Sequence, residues 1–370
     1  MGGKRFFFAG GGTGGHIYPG IAVAERVVEL QPTAKIHFFC SKRDIDTQIL
    51  KQVGFGYTQL PAKGLSFRPG KLIRFCTSFS KSYRIAKGTI TGGEDAAVIG
   101  IGGFVAAPVC RAAHRLGIRV VLINLDIVPG RANKMAARWA DEVFVQFAEA
   151  AEYFGKKTAK VDVVGCPLRA GFEHPEPDKA VEQLGLDRNK KILLITGASS
   201  GSENINDAVC SLLAKLDSLA GDWQIVHLTG LRNYEKVRQA YADAKIAHRV
   251  SGYFDDMPNL LGAADLVVGR SGAVSVAEYA AAGVPSICVP YPYHRDRHQY
   301  LNAGKLVKAG AAVIVDDLPY AKERAEWLWE ELESLMKDEK KRQEMKKNCE
   351  TVANKDASVK IARALLEMSR

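Results

Sequence analysis

A short apolar run that ends in a glycine-rich loop, with the loop opening a helix, recurs along this chain and limits what it can fold into. "RFFF" runs into "AGGGTGGHIYPG" (Ala9–Gly20), "AAVIGIGG" into "FVAAPVCRAAHRLG", and "KILLITGASSG" into "SENIN". Runs that are apolar throughout, with no alternation, suit parallel strands buried on both faces. Such strands alternating with helices imply an α/β fold with right-handed crossovers.

The first half supplies strands at "KRFFFAG", "KIHFFC", "EDAAVIGIGG", "IRVVLIN", "DEVFVQF" and "AKVDVVGCPLR". After the proline pair of "HPEPDKA" a second cycle opens at "KKILLITGASSG". It continues through "WQIVHLTG", "RVSGYF", "ADLVVGRSG", "PSICVPY" and "AAVIV". The expectation is two similar doubly wound halves joined near Pro167–Pro177, with ligands beyond the carboxyl ends of the strands in a cleft where the halves face each other. A length of 370 residues fits two domains. The start "MGGKRFFFAGGGTGG" is too short in apolar residues for a signal peptide, and no stretch approaches the ~18–20 apolar residues of a membrane span. A cytosolic protein is expected. Its seven cysteines are scattered without a CxxC pair, which suits reduced thiols and argues against structural zinc.

The loops at Gly10–Gly15, Gly100–Gly103 and Gly197–Gly201 each precede a helix N-terminus, where unpaired N–H groups and the helix dipole favour an anion. Bare backbone lets a phosphate come close. Any one loop is weak evidence, because glycine also ends strands for geometric reasons; three in register are stronger. Gly10, Gly12 and Gly15 match a dinucleotide pattern. The second strand, however, ends "HFFCSKRD", with Ser41-Lys42-Arg43 where an NAD site wants an acid. That ending leaves an NADP enzyme open. No loop reads as a P-loop.

The second half holds a sharper pattern, "GRSGAVSVAEYAAAGVPSICVPYPYHRDRHQYLNA". A strand ends at Gly269, a turn follows, and Glu278 sits inside the opening turns of the next helix. A carboxylate there can accept from both hydroxyls of a ribose diol. Asp296, Gln299 and Asn302 recur every three residues and are expected on one helical face, where amide and acid groups suit a polyhydroxylated sugar. Asp255-Asp256 and Asp316-Asp317 read as loop acids.

The formal net charge is +10. Between Asp46 and Glu94 there is no acidic residue, while Lys63, Arg68, Lys71, Arg74, Lys81, Arg84 and Lys87 interleave with Phe67, Leu72, Ile73, Phe75 and Phe79. This mixture suits an anionic bilayer surface, nucleobase stacking, or a plain solvated face.

These motifs, in order and spacing over nearly the whole chain, resemble the MurG family of UDP-N-acetylglucosamine transferases. The resemblance implies a GT-B fold of two Rossmann-like domains. Residues 1–168 would handle the acceptor and dock on the membrane, joined by a returning helical segment 346–370, and residues 169–345 would bind the UDP-sugar. It implies inverting transfer of N-acetylglucosamine from UDP-N-acetylglucosamine to the 4-hydroxyl of a polyprenyl-pyrophosphate-linked muramoyl acceptor. The location would be the cytoplasmic membrane face, with no metal, cofactor or nucleic acid.

His16 would be the general base or a diphosphate contact, and its ordinary pKa suits a base at neutral pH. Thr13, Gly14 and Gly15 would lie by the donor sugar and, with Gly102 and Gly103, the acceptor diphosphate. Arg169 and Ser199 would meet the donor pyrophosphate, and the Phe254 backbone the uracil. Ala273, Val274, Ser275, Val276 and Ala277 would wrap the phosphates, Glu278 the ribose, and Gln299 and Asn302 the sugar. Phe67, Lys71, Leu72, Ile73, Arg74, Phe75 and Phe79 would meet the membrane. Two places depart from the family. Its His-Glu-Gln-Asn is here Ile123-Asn124-Leu125-Asp126, so Asp126 stands where an asparagine meets the donor sugar. Its Asn-Pro is here Cys166-Pro167. A UDP-hexose glycolipid synthase, a UDP-sugar epimerase and a non-catalytic UDP-sugar-binding protein stay open.

Overall fold

The computed structural model describes residues 3–12, 14–64, 69–91, 95–154 and 160–368, the side chains of 69 and 71 aside. Thr13 and Phe67 lie outside the described residues, as does the side chain of Lys71. The chain divides into two compact units, Met1–Arg169 with Lys355–Arg370, and Ala170–Asn354.

The first unit is built on β1 (Arg5–Ala9), β2 (Lys35–Cys40), β3 (Gly56–Gln59), β4 (Ala96–Gly100), β5 (Arg119–Asn124), β6 (Glu142–Val145) and β7 (Lys160–Val163). All pair in parallel, in the order β3-β2-β1-β4-β5-β6-β7. The order reverses between β1 and β4, so their carboxyl ends open a crevice at a topological switch point. Six of these strands are the expected ones. The seventh, β3, has the sequence GYTQ with no buried residue, so it carries no apolar signal. Phe8 stacks on Phe38 across β1 and β2 with ring centroids 5.1 Å apart. Helices α1 (Tyr18–Leu30), α2 (Asp44–Val53), α3 (Pro69–Thr89), α4 (Gly103–Arg115) and α5 (Arg131–Ala136) cover the faces.

The second unit repeats the plan with β8 (Lys191–Thr196), β9 (Trp223–Leu228), β10 (Ala247–Ser251), β11 (Leu266–Gly269), β12 (Ser286–Cys288) and β13 (Ala312–Ile314), ordered β10-β9-β8-β11-β12-β13. Its switch point lies between β8 and β11. Its helices are α6 (Pro177–Leu184), α7 (Glu203–Ser211), α8 (Leu213–Leu216), α9 (Tyr234–Ala240), α10 (Met257–Ala263), α11 (Ala273–Ala282), α12 (His298–Lys308), α13 (Ala321–Lys337) and α14 (Glu339–Glu350).

The last helix, α15 (Ala357–Met368), packs on α1 of the first unit, and Lys4 Nζ donates to Leu366 O at 2.5 Å. The return begins at Lys355 and not at 346. Helix α14 stays with the second unit because Met345 and Cys349 are buried there and the Arg342 guanidinium lies 4.9 Å from the Trp223 ring. Among the described residues no helix is long and apolar enough to cross a membrane.

Candidate active site

In the first unit the loops after β1 and β4 meet at the switch point, and His16 stands where they touch. Its half-buried imidazole lies on the Gly102–Gly103 backbone. A Cβ on Gly102 would come 2.8 Å from His16 Cδ2 and 3.1 Å from Nε2, and one on Gly103 (φ +69°) would strike Gly11 O at 2.4 Å. Any side chain at either position would push the imidazole or the first loop away. Gly102 is also the N-cap of α4 and offers no side chain to its first-turn N–H groups. The result is one imidazole beside a helix N-terminus, an arrangement suited to an anion and a proton acceptor together.

Asp46, absent from the sequence expectations, sets the first loop. It is buried, and its Oδ2 accepts from Gly12 N (2.9 Å), Ser41 N (3.1 Å) and Ser41 Oγ (2.5 Å). Arg43 donates to Gly12 O. The Ser-Lys-Arg segment that left an NADP site open is thus occupied in part with holding the glycine loop.

At the end of β5, Ile123 and Leu125 are buried, and so is Asn124. Asn124 Nδ2 donates to Asp126 O at 2.8 Å and Asn124 Oδ1 accepts from Asn133 Nδ2 at 3.1 Å. The two apolar replacements therefore fill space, while Asp126 stays half-exposed at the strand end. Arg169 lies with its guanidinium 4.4 Å from the centroid of the Tyr18 ring, a cation–π contact that fixes it at the start of α1. Burial pushes the Glu25 carboxyl up by more than neighbouring Arg169 and Arg26 pull it down. His227, by contrast, is wholly buried between Tyr241 OH (3.0 Å) and Asn206 Oδ1 (3.1 Å). Burial drives its pKa down to about 3, so it is a neutral core histidine.

In the second unit the loops after β8, β11, β12 and β13 are tied by one buried network. Arg270 donates to Ser202 Oγ (2.7 Å) and Val289 O (3.0 Å) and pairs with Asp317 Oδ2 (2.8 Å). Asn204 Nδ2 donates to Asp317 Oδ1 at 2.8 Å, and Arg324 lies 3.6 Å from the same oxygen. Asp317 is the expected loop acid but not a solvated one: its side chain has no exposed surface. Asp256 caps α10, accepting from Asn259 N. Ser202 caps α7 by accepting from Ile205 N at 3.4 Å, so this helix start is partly satisfied within the protein. Ser199 remains half-buried in the loop before it. A Cβ on Gly201 (φ +72°) would strike Thr229 O at 2.1 Å, which locks the loops after β8 and β9 together.

Helix α11 begins differently. Its N-cap is Gly272, which has open space where a Cβ would lie and gives no side-chain cap. Ala273 and Val276 are buried, while Val274, Ser275, Ala277 and Glu278 are half-buried. Tyr279 anchors the turn, donating from its hydroxyl to Arg270 O at 3.0 Å. Phe254 is buried in the segment after β10.

Helix α12 starts at His298, so Asp296 lies outside it and shares no helical face with Gln299 and Asn302. Asn302 has no exposed surface, and its Nδ2 reaches back to Ser271 O at 3.5 Å. That burial corrects the expected direct sugar contact: Asn302 supports the turn before α11. Gln299 accepts from Tyr291 N at 3.0 Å, and its carbonyl accepts from Ser271 Oγ at 2.9 Å.

On α3, Leu72 (38% exposed) and Ile73 (66%) are exposed, as are Arg74, Lys81, Arg84 and Lys87. Phe75 is half-buried. Phe79 is half-buried as well: its ring lies 5.7 Å from that of Phe75 and packs against the first unit's core, with the Arg111 guanidinium 5.9 Å away.

Both halves match models of one enzyme family. Residues 6–145 match the glycosyltransferase family 28 N-terminal domain and residues 192–361 its C-terminal domain. A Syntrophus aciditrophicus relative, named a UDP-N-acetylglucosamine–N-acetylmuramyl-(pentapeptide) pyrophosphoryl-undecaprenol N-acetylglucosamine transferase, is 36% identical over 85% of this chain and 85% of its own. A Chlorobium limicola protein of the same name is 33% identical over 98% of this chain and 99% of its own. The crystal structure of Acinetobacter baumannii MurG superposes with a TM-score of 0.70 at 23% identity, covering 99% of each chain. A Listeria monocytogenes putative UDP-N-acetylglucosamine 2-epimerase reaches 0.73 at 14% identity, covering 99% of this chain and 96% of its own, a likeness of fold alone.

Proposed function

The chain belongs to glycosyltransferase family 28, and from that membership we propose how its residues divide the work of a lipid-linked sugar transfer. The enzyme moves N-acetylglucosamine from UDP-N-acetylglucosamine to the 4-hydroxyl of the muramoyl sugar of lipid I, making lipid II for peptidoglycan. The observation that carries this activity is the 31–36% identity, over most of the chain, to relatives that bear its name.

The transfer inverts the anomeric centre. The acceptor hydroxyl attacks the anomeric carbon, the bond to the UDP oxygen breaks, and His16 takes the hydroxyl proton. The leaving diphosphate gains charge. The start of α11, between Ala273 and Ala277, receives that charge, with Arg169 and Ser199 assisting. Glu278 accepts from the two ribose hydroxyls, and the Phe254 backbone meets the uracil. Gln299 and Asp126 bind the sugar, and Asn302 holds the turn that carries α11. The backbone at Gly14, Gly15, Gly102 and Gly103 admits the acceptor diphosphate. The groups that receive the diphosphate's charge all belong to the protein, so the reading requires no metal.

The acceptor is a membrane lipid, so the enzyme docks on the membrane as a peripheral protein. Exposed Arg74, Lys81, Arg84 and Lys87 draw α3 to anionic headgroups, and Leu72, Ile73 and Phe75 enter the headgroup layer. One experiment tests activity and docking together. UDP release from UDP-N-acetylglucosamine is measured with no acceptor, with a water-soluble lipid I analogue, and with an analogue in anionic or neutral vesicles. Release that needs the acceptor, is faster on anionic vesicles and falls with salt is expected. Acceptor-independent conversion of the donor sugar would indicate an epimerase. UDP binding without release would indicate a scaffold. Equal rates on neutral vesicles would remove the electrostatic docking.

A further inference from the structure

We propose that the segment joining β12 to α12 is a binding site for one divalent transition-metal ion of the zinc class, held by His294, Asp296 and His298. The three residues alternate along "HRDRH", and one ligand atom from each lies within 4.8 Å of the other two. Among the described residues this is the one such group of histidine, cysteine and acidic side chains. Nothing in the transfer chemistry uses them.

The hydrogen bonds show how the donors are prepared. Asp296 Oδ1 lies 2.7 Å from His298 Nδ1, and His298 Nε2 lies 2.9 Å from His294 Nδ1. A carboxylate only accepts, so it sets the proton on His298 Nδ1 and turns the Nε2 lone pair toward His294. Moving the His294 proton to its Nε2 exposes a second lone pair at Nδ1, with no net loss of a proton. In a tetrahedral site with bonds of about 2.0–2.1 Å, ligand atoms sit about 3.3–3.4 Å apart. Asp296 and His294 meet opposite nitrogens of the His298 ring, so closing the three on one ion turns the exposed Asp296 carboxylate from His298 Nδ1 to the Nε2 side, beside His294 Nδ1. His294 is exposed and packs at 4.8 Å edge-on against the Tyr291 ring, which limits its orientation. Of the two intervening arginines, Arg295 and Arg297, the second directs its charge away, its guanidinium lying 4.2 Å from the Tyr300 ring.

The donor set selects the ion. Two imidazoles and one carboxylate suit zinc, nickel or copper, whereas magnesium and calcium want all-oxygen cages. Three protein ligands leave a fourth position for water. The site also adjoins the sugar end of the donor pocket: His298 directly precedes Gln299, and His294 follows Tyr291, whose N–H Gln299 holds. A bound ion would fix that segment and shift donor affinity. This consequence rests on the proposed role of Gln299; ion binding does not.

The test is titration of the full chain, stripped with chelator, with cobalt(II) and then zinc(II), read by visible absorption. One cobalt per chain, with the intense bands of a low-coordinate site bleached by zinc, is expected. His298→Gln and, separately, His294→Gln should each weaken zinc binding at least ~10-fold while UDP affinity, measured without metal, shows the fold intact. Absence of the bands overturns the proposal. So does zinc affinity unchanged in both variants, which would place the ion on other histidines among the eight in the chain.

Discussion

Replacing His16 with alanine lowers turnover by ~10²–10⁴-fold while UDP affinity changes little, the range expected when a general base is lost. The imidazole belongs to the first unit and rests on Gly102–Gly103, whereas the groups assigned to the nucleotide, Arg169 aside, lie in the second. Donor binding and proton removal are thus carried by different side chains and separate in the variant. A steady-state split, with kcat falling far more than the UDP inhibition constant rises, checks this. His16→Asn keeps a polar group of similar reach without basicity and should be nearly as slow. Near-normal turnover in either variant would reduce His16 to an acceptor contact.

The second large effect is on stability. Asp317→Ala should cost about 3–5 kcal/mol, because it leaves two buried guanidinium groups without their carboxylate. Arg270 is 9% exposed and Arg324 6%, so neither can recover its hydration without opening the loops. The loss appears as a fall in melting temperature of about 10 °C or more, and UDP binding should weaken with it, since Arg270 lies in the turn before α11. Asp317→Asn keeps one accepting oxygen among these donors and should cost less. A change under about 1 kcal/mol in Asp317→Ala would show that these loops are held by apolar packing alone.

Elements buried on both faces were legible in the sequence. β1, β4, β5 and β8 are apolar along nearly their whole length, and the glycines that close or follow β1, β4 and β8 mark where helices begin. Signals that depend on distant partners were not. Asn204 and Asp317 are 113 positions apart, and nothing local distinguishes that aspartate from a surface acid. Gly12 and Asp46 are 34 apart, and Arg43 was readable only as a cofactor residue. Edge strand β3 has polar residues because neither face needs burial. Spacing placed Asp296 and Asn302 on one face, but the helix starts after the first and turns the second inward. Aromatic content marked α3 as a surface element without telling Leu72 and Ile73, which are exposed, from Phe75 and Phe79, which are half-buried.

The most direct test of the account is a crystal structure of the enzyme with UDP. The pyrophosphate should sit at the start of α11, with both ribose hydroxyls within hydrogen-bond distance of the Glu278 carboxylate. A nucleotide bound away from the carboxyl edge of the second sheet, or a Glu278 side chain turned from the ribose, would contradict it.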